Sequence, residues 1–275
     1  YTGISAKDYM DGTSNFYGVH SVTLYVNSVQ VFNSTTDKVL PDENRMINGF
    51  TDYEELTRTR RLIMRSYKLP GNRLRLLHPN ENRGAVTIDE ERDYHFRYVL
   101  EDNFGNRRTY QFIVKGKRQD IPEYKPETNE MLYWNRTNVI QKPGMELVVP
   151  RYYVYEDVPL RTDMRGDSSH IAFDYILDAG RTPIHSYCDL SIGLRHMPVA
   201  DTTKYYIVQK AGKWRSSMGG KYANGWIKTR VRSLGTFSVD VDTIAPQITP
   251  IGQGGWRTSR NIRFRIKDME SGIGS

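Results

Sequence analysis

Cysteine is nearly absent from this chain. With Cys188 alone, no intramolecular disulfide can form, and every module must be held by packing. Vertebrate extracellular immunoglobulin domains usually carry a cysteine pair, but exported bacterial sandwiches often do without one, so the shortage does not exclude export. Long apolar runs are missing too. No stretch approaches the roughly 20 residues of a membrane helix, which argues against a helical membrane span, and no signal peptide opens the sequence. Cys188 sits in the alternating stretch Ser186-Tyr187-Cys188-Asp189-Leu190-Ser191-Ile192, where a free thiol is expected to pack as a small buried hydrophobe.

The signatures of catalysis are also lacking. The histidines, His20, His78, His95, His170, His185 and His196, are scattered, with no H-x-H pair, no H-E-x-x-H and no paired-cysteine spacing. His170 and Asp174 lie four apart, but in a strand such side chains stand about 13 Å from one another and do not converge on one ion. No G-x-S-x-G elbow occurs, and Met218-Gly219-Gly220-Lys221 lacks P-loop spacing. The acidic pairs Glu54 and Glu55, Glu90 and Glu91, and Asp240 and Asp242 fall in polar turns, helix starts or strand ends, as solvated groups do. The reading is therefore that the chain holds no catalytic, cofactor-binding or metal-binding residues.

Aromatic residues, in contrast, are plentiful. Nineteen Tyr, four Trp and nine Phe suit a pleated, half-buried surface and favour sheets over helices. The net charge of +7 is densest over Arg58, Arg60, Arg61, Arg65, Lys68, Arg73 and Arg75. Asp52, Glu54 and Glu55 just precede that run and no nucleic-acid motif overlaps it, so it reads as a solvated, partly paired face and nucleic acid is not an expected partner. Clustered rings can instead stack on sugars. Trp134, beside Tyr133, and Trp214 are the candidate glycan contacts, with Tyr152, Tyr153, Tyr155 and Trp226 as further members, although core packing accounts for most aromatics of a β-sandwich.

At 275 residues the chain is too long for one domain of roughly 100–150, and its fold is expected to be all-β, as tandem immunoglobulin-like β-sandwich domains with a short helix in the first. The first sandwich covers 1–117, its first strand read as missing, with strands at 19–26, 61–69, 84–88, 94–100 and 109–115. Thr51 and Glu54 form a capping box that predicts the helix. A Pro-bearing connector around Pro122 and Pro126 leads to a second sandwich over 118–244. Its strands are expected at 145–149, 171–176, 186–194, 205–209, 226–231 and 235–241, with an Asn224-Gly225 hairpin turn before Trp226. After Pro246, residues 245–275 begin a truncated third β domain. A turn pattern of Asp followed by small turn-formers recurs at Asp8, Asp102 and Asp268 and is read as equivalent corners of repeated sandwiches. Because Tyr1 is not preceded by Met and the sequence ends soon after an alternating stretch, the chain is expected to be a segment of a longer protein.

Several runs resemble a known family. They are Asp42-Glu43-Asn44-Arg45-Met46-Ile47-Asn48-Gly49-Phe50-Thr51-Asp52-Tyr53-Glu54-Glu55, Pro70-Gly71-Asn72-Arg73-Leu74, Gly219-Gly220-Lys221-Tyr222-Ala223-Asn224-Gly225-Trp226-Ile227-Lys228, Leu234-Gly235-Thr236-Phe237 and Asp242-Thr243-Ile244-Ala245-Pro246. Together they look like the region that follows the catalytic domain in secreted Bacteroidetes members of the lysostaphin-type zinc metallopeptidases. The resemblance implies an upstream peptidase domain as partner, with zinc held there by H-x-x-x-D and H-x-H motifs and not by this chain, which has Ala172 where that motif expects Gly. It further implies a periplasmic or extracellular setting and non-catalytic modules that space or position the peptidase on peptidoglycan. A carbohydrate- or cell-wall-binding adhesin module, in contact with peptidoglycan or other envelope glycans, is the alternative.

Overall fold

The computed structural model describes residues 1–275 except Met10, Asp11, Thr13, Tyr124, Glu127, Ser168, Met269 and 273–275. The fold is all-β, with its named sheets paired antiparallel and little helix.

The first module contains β1 (Gly3–Ile4), β2 (Asp8–Tyr9), β3 (Phe16–Tyr17), β4 (Ser21–Val26), β5 (Val29–Thr35), α1 (Tyr53–Thr59), β6 (Met64–Arg65), β7 (Leu77–Pro79), β8 (Asp93–Glu101) and β9 (Arg107–Lys115). Its main sheet runs β7-β5-β4-β8-β9. Alternation explains which face is buried. Val22, Leu24 and Val26 of β4 and Tyr94, Phe96 and Tyr98 of β8 point to one side, while Thr23, Tyr25, His95 and Arg97 lie on the other. The β1–β6 pair, the turn carrying Met46, Ile47 and Phe50, and the loops through Leu69 and Leu74 cover the apolar side, so the opposing layer is largely irregular backbone. Ser66 and Thr2 both hydrogen-bond the hydroxyl of buried Tyr98, at 2.7 and 2.9 Å, which ties that layer to the sheet.

Here the expected strands are only partly realised. The one predicted over 61–69 shortens to β6, and 84–88 forms none. In that irregular layer the backbone groups bond to scattered partners, as when Lys68 N donates to Arg83 O and Ala85 N to Asn82 O. β5 was not anticipated. Its two-residue turn from β4 uses Asn27 and Ser28, both at positive φ, where a Gly would have signalled the hairpin. The helix begins one residue later than the capping box implied. Thr51 is buried in a bridge with Met64, and Asp52 caps α1 instead, accepting from Glu55 N at 3.1 Å.

The second module is a two-sheet sandwich built from β10 (Glu130–Leu132), β11 (Asn138–Lys142), β12 (Met145–Val149), β13 (Val158–Arg165), β14 (Asp174–Asp178), β15 (Cys188–Gly193), β16 (Tyr205–Ala211), β17 (Trp214–Ser217), β18 (Lys221–Ala223), β19 (Trp226–Val231) and β20 (Gly235–Val241). One sheet is ordered β10-β13-β14-β20-β16-β17 and the other β11-β12-β15-β19-β18. Leu147, Leu190 and Ile227 from the second sheet meet Leu160, Leu177, Ile207 and Phe237 from the first, all essentially free of solvent. Asn224 and Gly225, both at positive φ, close the β18–β19 hairpin as expected.

β21 (Gln247–Ile251) and β22 (Arg263–Lys267) form a separate exposed hairpin. Asp242, at the end of the second module, accepts from Ile244 N at 3.0 Å and from both the backbone and hydroxyl of Ser271, so the hairpin's far end folds back to its own root. Of the repeated Asp turns, Asp102 caps the β8–β9 corner by accepting from Phe104 and Asn106, and Asp268 accepts from Glu270 N. Asp8 lies within β2, and the neighbouring Met10 and Asp11 of that copy, like Met269 of the third, lie outside the described residues.

Cys188 is 1% exposed on β15, and burial pushes its thiol up to about 12. The thiolate is the reactive form, so a disulfide-exchange reagent at pH 8 is expected to leave the native protein unlabelled and to modify it fully in denaturant. Rapid native labelling would contradict this packing.

Candidate functional site at the module junction

The segment between β12 and β13 carries Tyr152, Tyr153 and Tyr155 in a tight series of turns, with Tyr152 at φ +67°. A bulky residue in that region is a genuine outlier costing on the order of 1–3 kcal/mol, so its surroundings must hold it. They do. The Arg73 and Arg151 guanidinium carbons lie 4.7 and 4.4 Å from the Tyr152 ring centre, and Trp134 packs against the same ring at 6.0 Å. This conformation separates the tyrosines, leaving Tyr152 half-buried at the rim while Tyr155 enters the first module.

Tyr155 is 2% exposed and joins the core of the module it visits, beside Met46, Leu69 and Leu74. Its hydroxyl donates to the Arg45 carbonyl at 2.8 Å, and its own carbonyl accepts from Gly71 N–H at 2.7 Å. Two glycines make room. A Cβ on Gly49 would lie 2.8 Å from the Tyr155 ring, and one on Gly71 would lie 2.9 Å from the Tyr155 carbonyl oxygen. Neither contact fits carbon–carbon or carbon–oxygen packing, so glycine is required for the approach and not for a turn. Asn72, itself buried, holds this wall by donating to Met46 O at 3.1 Å and accepting from Leu74 N at 3.0 Å.

His185, from the second module, completes the contact with Nδ1 3.1 Å from the Tyr155 hydroxyl. Since that hydroxyl's proton goes to Arg45 O, Nδ1 must carry the hydrogen. Burial first, then the charges of Arg73 and Arg45, hold the His185 imidazole below its ordinary value against the weaker opposing pull of Asp42. In the same wall, Arg75 and the Leu40 N–H hold the carboxyl of Glu43 down to about 2.

Other residues singled out from the sequence do not gather. Trp134 follows β10 and Trp214 lies on β17, the two edges of one six-stranded sheet. Five strand spacings separate those edges by about 24 Å, so the two indoles form no common platform. Trp134 is packed against the core, whereas Trp214 is 80% exposed. His170 Nδ1 sits 2.9 Å from Asp167 Oδ1 while Asp174 pairs with Lys210 at 2.5 Å, so the two are committed to different partners. Among the described residues no group of three His, Cys, Asp or Glu is placed to hold a metal ion, and no helix is long and apolar enough to cross a membrane. Within the basic run, Arg58 pairs with Glu55 and Arg75 with Glu43, as a partly paired face requires.

Residues 129–242 are similar to the Zu5-like domain. That stretch begins just before β10 and ends just after β20, so it contains the whole two-sheet sandwich and the Tyr155 segment. No curated protein and no solved structure matches the chain.

Truncating Tyr155 to Phe removes the hydroxyl's hydrogen bonds to Arg45 O and His185 Nδ1 and is expected to cost about 1–3 kcal/mol, and Tyr155→Ala about 3–5 kcal/mol, in urea unfolding. Gly71→Ala is expected to weaken the junction although it lies in an otherwise permissive site, seen as faster hydrogen exchange at 71–74 with the β12–β15 amides unchanged. A second expectation concerns pH. Both folded and unfolded His185 are neutral above its ordinary value of 6.5, so its contribution is complete there. Below 6.5 the unfolded state takes the proton first, and stability falls as pH drops towards the depressed folded value. Melting temperatures between pH 7.5 and 5.5 are expected to decline in the native protein and to flatten in His185→Asn, which keeps a donor but does not titrate.

Proposed function

We propose that this chain is a non-catalytic accessory unit of a secreted zinc peptidase of the cell envelope, its two modules spacing or positioning an upstream peptidase domain on peptidoglycan. The observation that supports this most is the interlock at Tyr155. A spacer transmits position only if its segments do not swing, and domains in one chain move relative to one another by default unless a well-packed interface prevents it. A side chain of one module buried in the core of the other, with a backbone hydrogen bond beside it, supplies that constraint. The excess of positive charge is compatible with a periplasmic or extracellular surface facing anionic envelope polymers, although screening within about 8 Å confines that attraction to close approach.

A second reading, a carbohydrate- or cell-wall-binding adhesin module, draws on Trp214, whose indole stands 80% exposed on an edge strand. Sedimentation with purified sacculi separates the two. Under the spacer reading the chain alone binds weakly and Trp214→Ala changes nothing, whereas loss of strong binding in that variant would establish the adhesin. With added zinc, the chain is expected to release no dye from labelled sacculi, and small-angle scattering is expected to give one fixed inter-module distance that broadens in Tyr155→Ala. Dye release, or a broad distance distribution in the native chain, would overturn the spacer reading.

A further inference from the structure

Next to the Tyr155 contact the two modules leave a cleft of about 240 Å³, walled on one side by α1 and β6 and on the other by the segments around 156 and 179–183. Its floor is apolar, with Leu69 and Val158. Four charged residues line it, Glu54 and Arg65 from the first module and Glu156 and Arg181 from the second. Among the described residues the ion pairs join other side chains, so none of these four is neutralised by a partner within 4 Å. Among the described residues Arg181 donates to the Thr57 hydroxyl, at 3.3 Å. Arg65 Nε is shut off from water without a hydrogen-bond partner, while its guanidinium lies over the Tyr1 ring.

Two guanidinium and two carboxylate groups sharing a cleft without pairing set the chemistry of what fits there. A simple anion would meet two carboxylates, and a simple cation two guanidinium groups. Only a molecule carrying both charges satisfies the lining, because planar guanidinium groups match a carboxylate and carboxylates accept from an ammonium. Size narrows the choice further. The volume falls below the about 300–1,000 Å³ of sites for drug-sized ligands, which leaves room for a small polar molecule only.

We propose that this cleft binds a small zwitterion, an amino acid or dipeptide with free α-amino and α-carboxylate groups, the carboxylate facing Arg65 and Arg181 and the ammonium facing Glu54 and Glu156. The site goes beyond the spacer role and stands without it. Because both modules supply charges, occupation also reinforces the junction.

Calorimetry and amide NMR on the whole chain test this, using alanyl-alanine with free ends and N-acetyl-alanyl-alanine amide with both ends blocked. The free dipeptide is expected to bind and to shift the amides of 53–54 and 179–183, and the blocked one to do neither. Glu156→Gln and Arg181→Gln, both at exposed positions, are each expected to weaken binding about tenfold or more with the unliganded spectrum otherwise preserved. Absence of binding at millimolar dipeptide, equal binding of the blocked form, shifts confined to another surface, or unchanged affinity in both variants would each overturn the proposal.

Discussion

The insertion of Tyr155 into a wall built on Gly49 and Gly71 is the contact on which the arrangement of the two modules depends. Elsewhere each module closes its own core, and a chain of this kind could hinge between them. At this point the boundary disappears, since the ring is counted among the buried side chains of the first module while its backbone continues a loop of the second. The constraint is steric before it is chemical. Without a Cβ on either glycine, the tyrosine ring and carbonyl reach van der Waals and hydrogen-bonding distance of backbone that any other residue would screen.

That constraint propagates outward. Tyr152 tolerates its unfavourable backbone because two arginines and Trp134 surround its ring, and one of those arginines, Arg73, comes from the facing module. Burial first, and then Arg73 and Arg45, hold the His185 imidazole below its ordinary value beside the Tyr155 hydroxyl. The charged cleft arises from the same packing. Residues far apart in sequence, such as Glu54 and Arg181, are brought to opposite walls by a contact that neither of them makes.

Much of the second module was legible in the sequence, and the reasons are local. β19 and β20 have the bounds that alternation predicts, and the Asn224-Gly225 turn lies between strands whose twist it matches. β10, β11, β13, β17 and β18 were missed because they are short or polar and take their place from neighbours across the sheet, as β18 does from β19. In the first module the apolar residues after 60 looked like strands, but they serve as a lid on a single sheet, where burial does not need ladder hydrogen bonds. The helix cap shifted by one residue for a comparable reason, since Thr51 is engaged in a bridge to Met64 and leaves the capping role to Asp52.

By itself, the sequence determined the all-β class, the burial of Cys188, the Asn224-Gly225 hairpin turn and the short helix, because periodicity and turn chemistry act between residues close in the chain. Only the tertiary structure decided what each aromatic does. Trp134, Tyr152, Tyr153 and Tyr155 read alike in sequence, yet one of them becomes the core of a neighbouring module, fixed by a carbonyl 110 positions earlier in the chain. Aromatic rings have no intrinsic preference between a core, a junction and an open edge, and the surface that meets them makes that assignment.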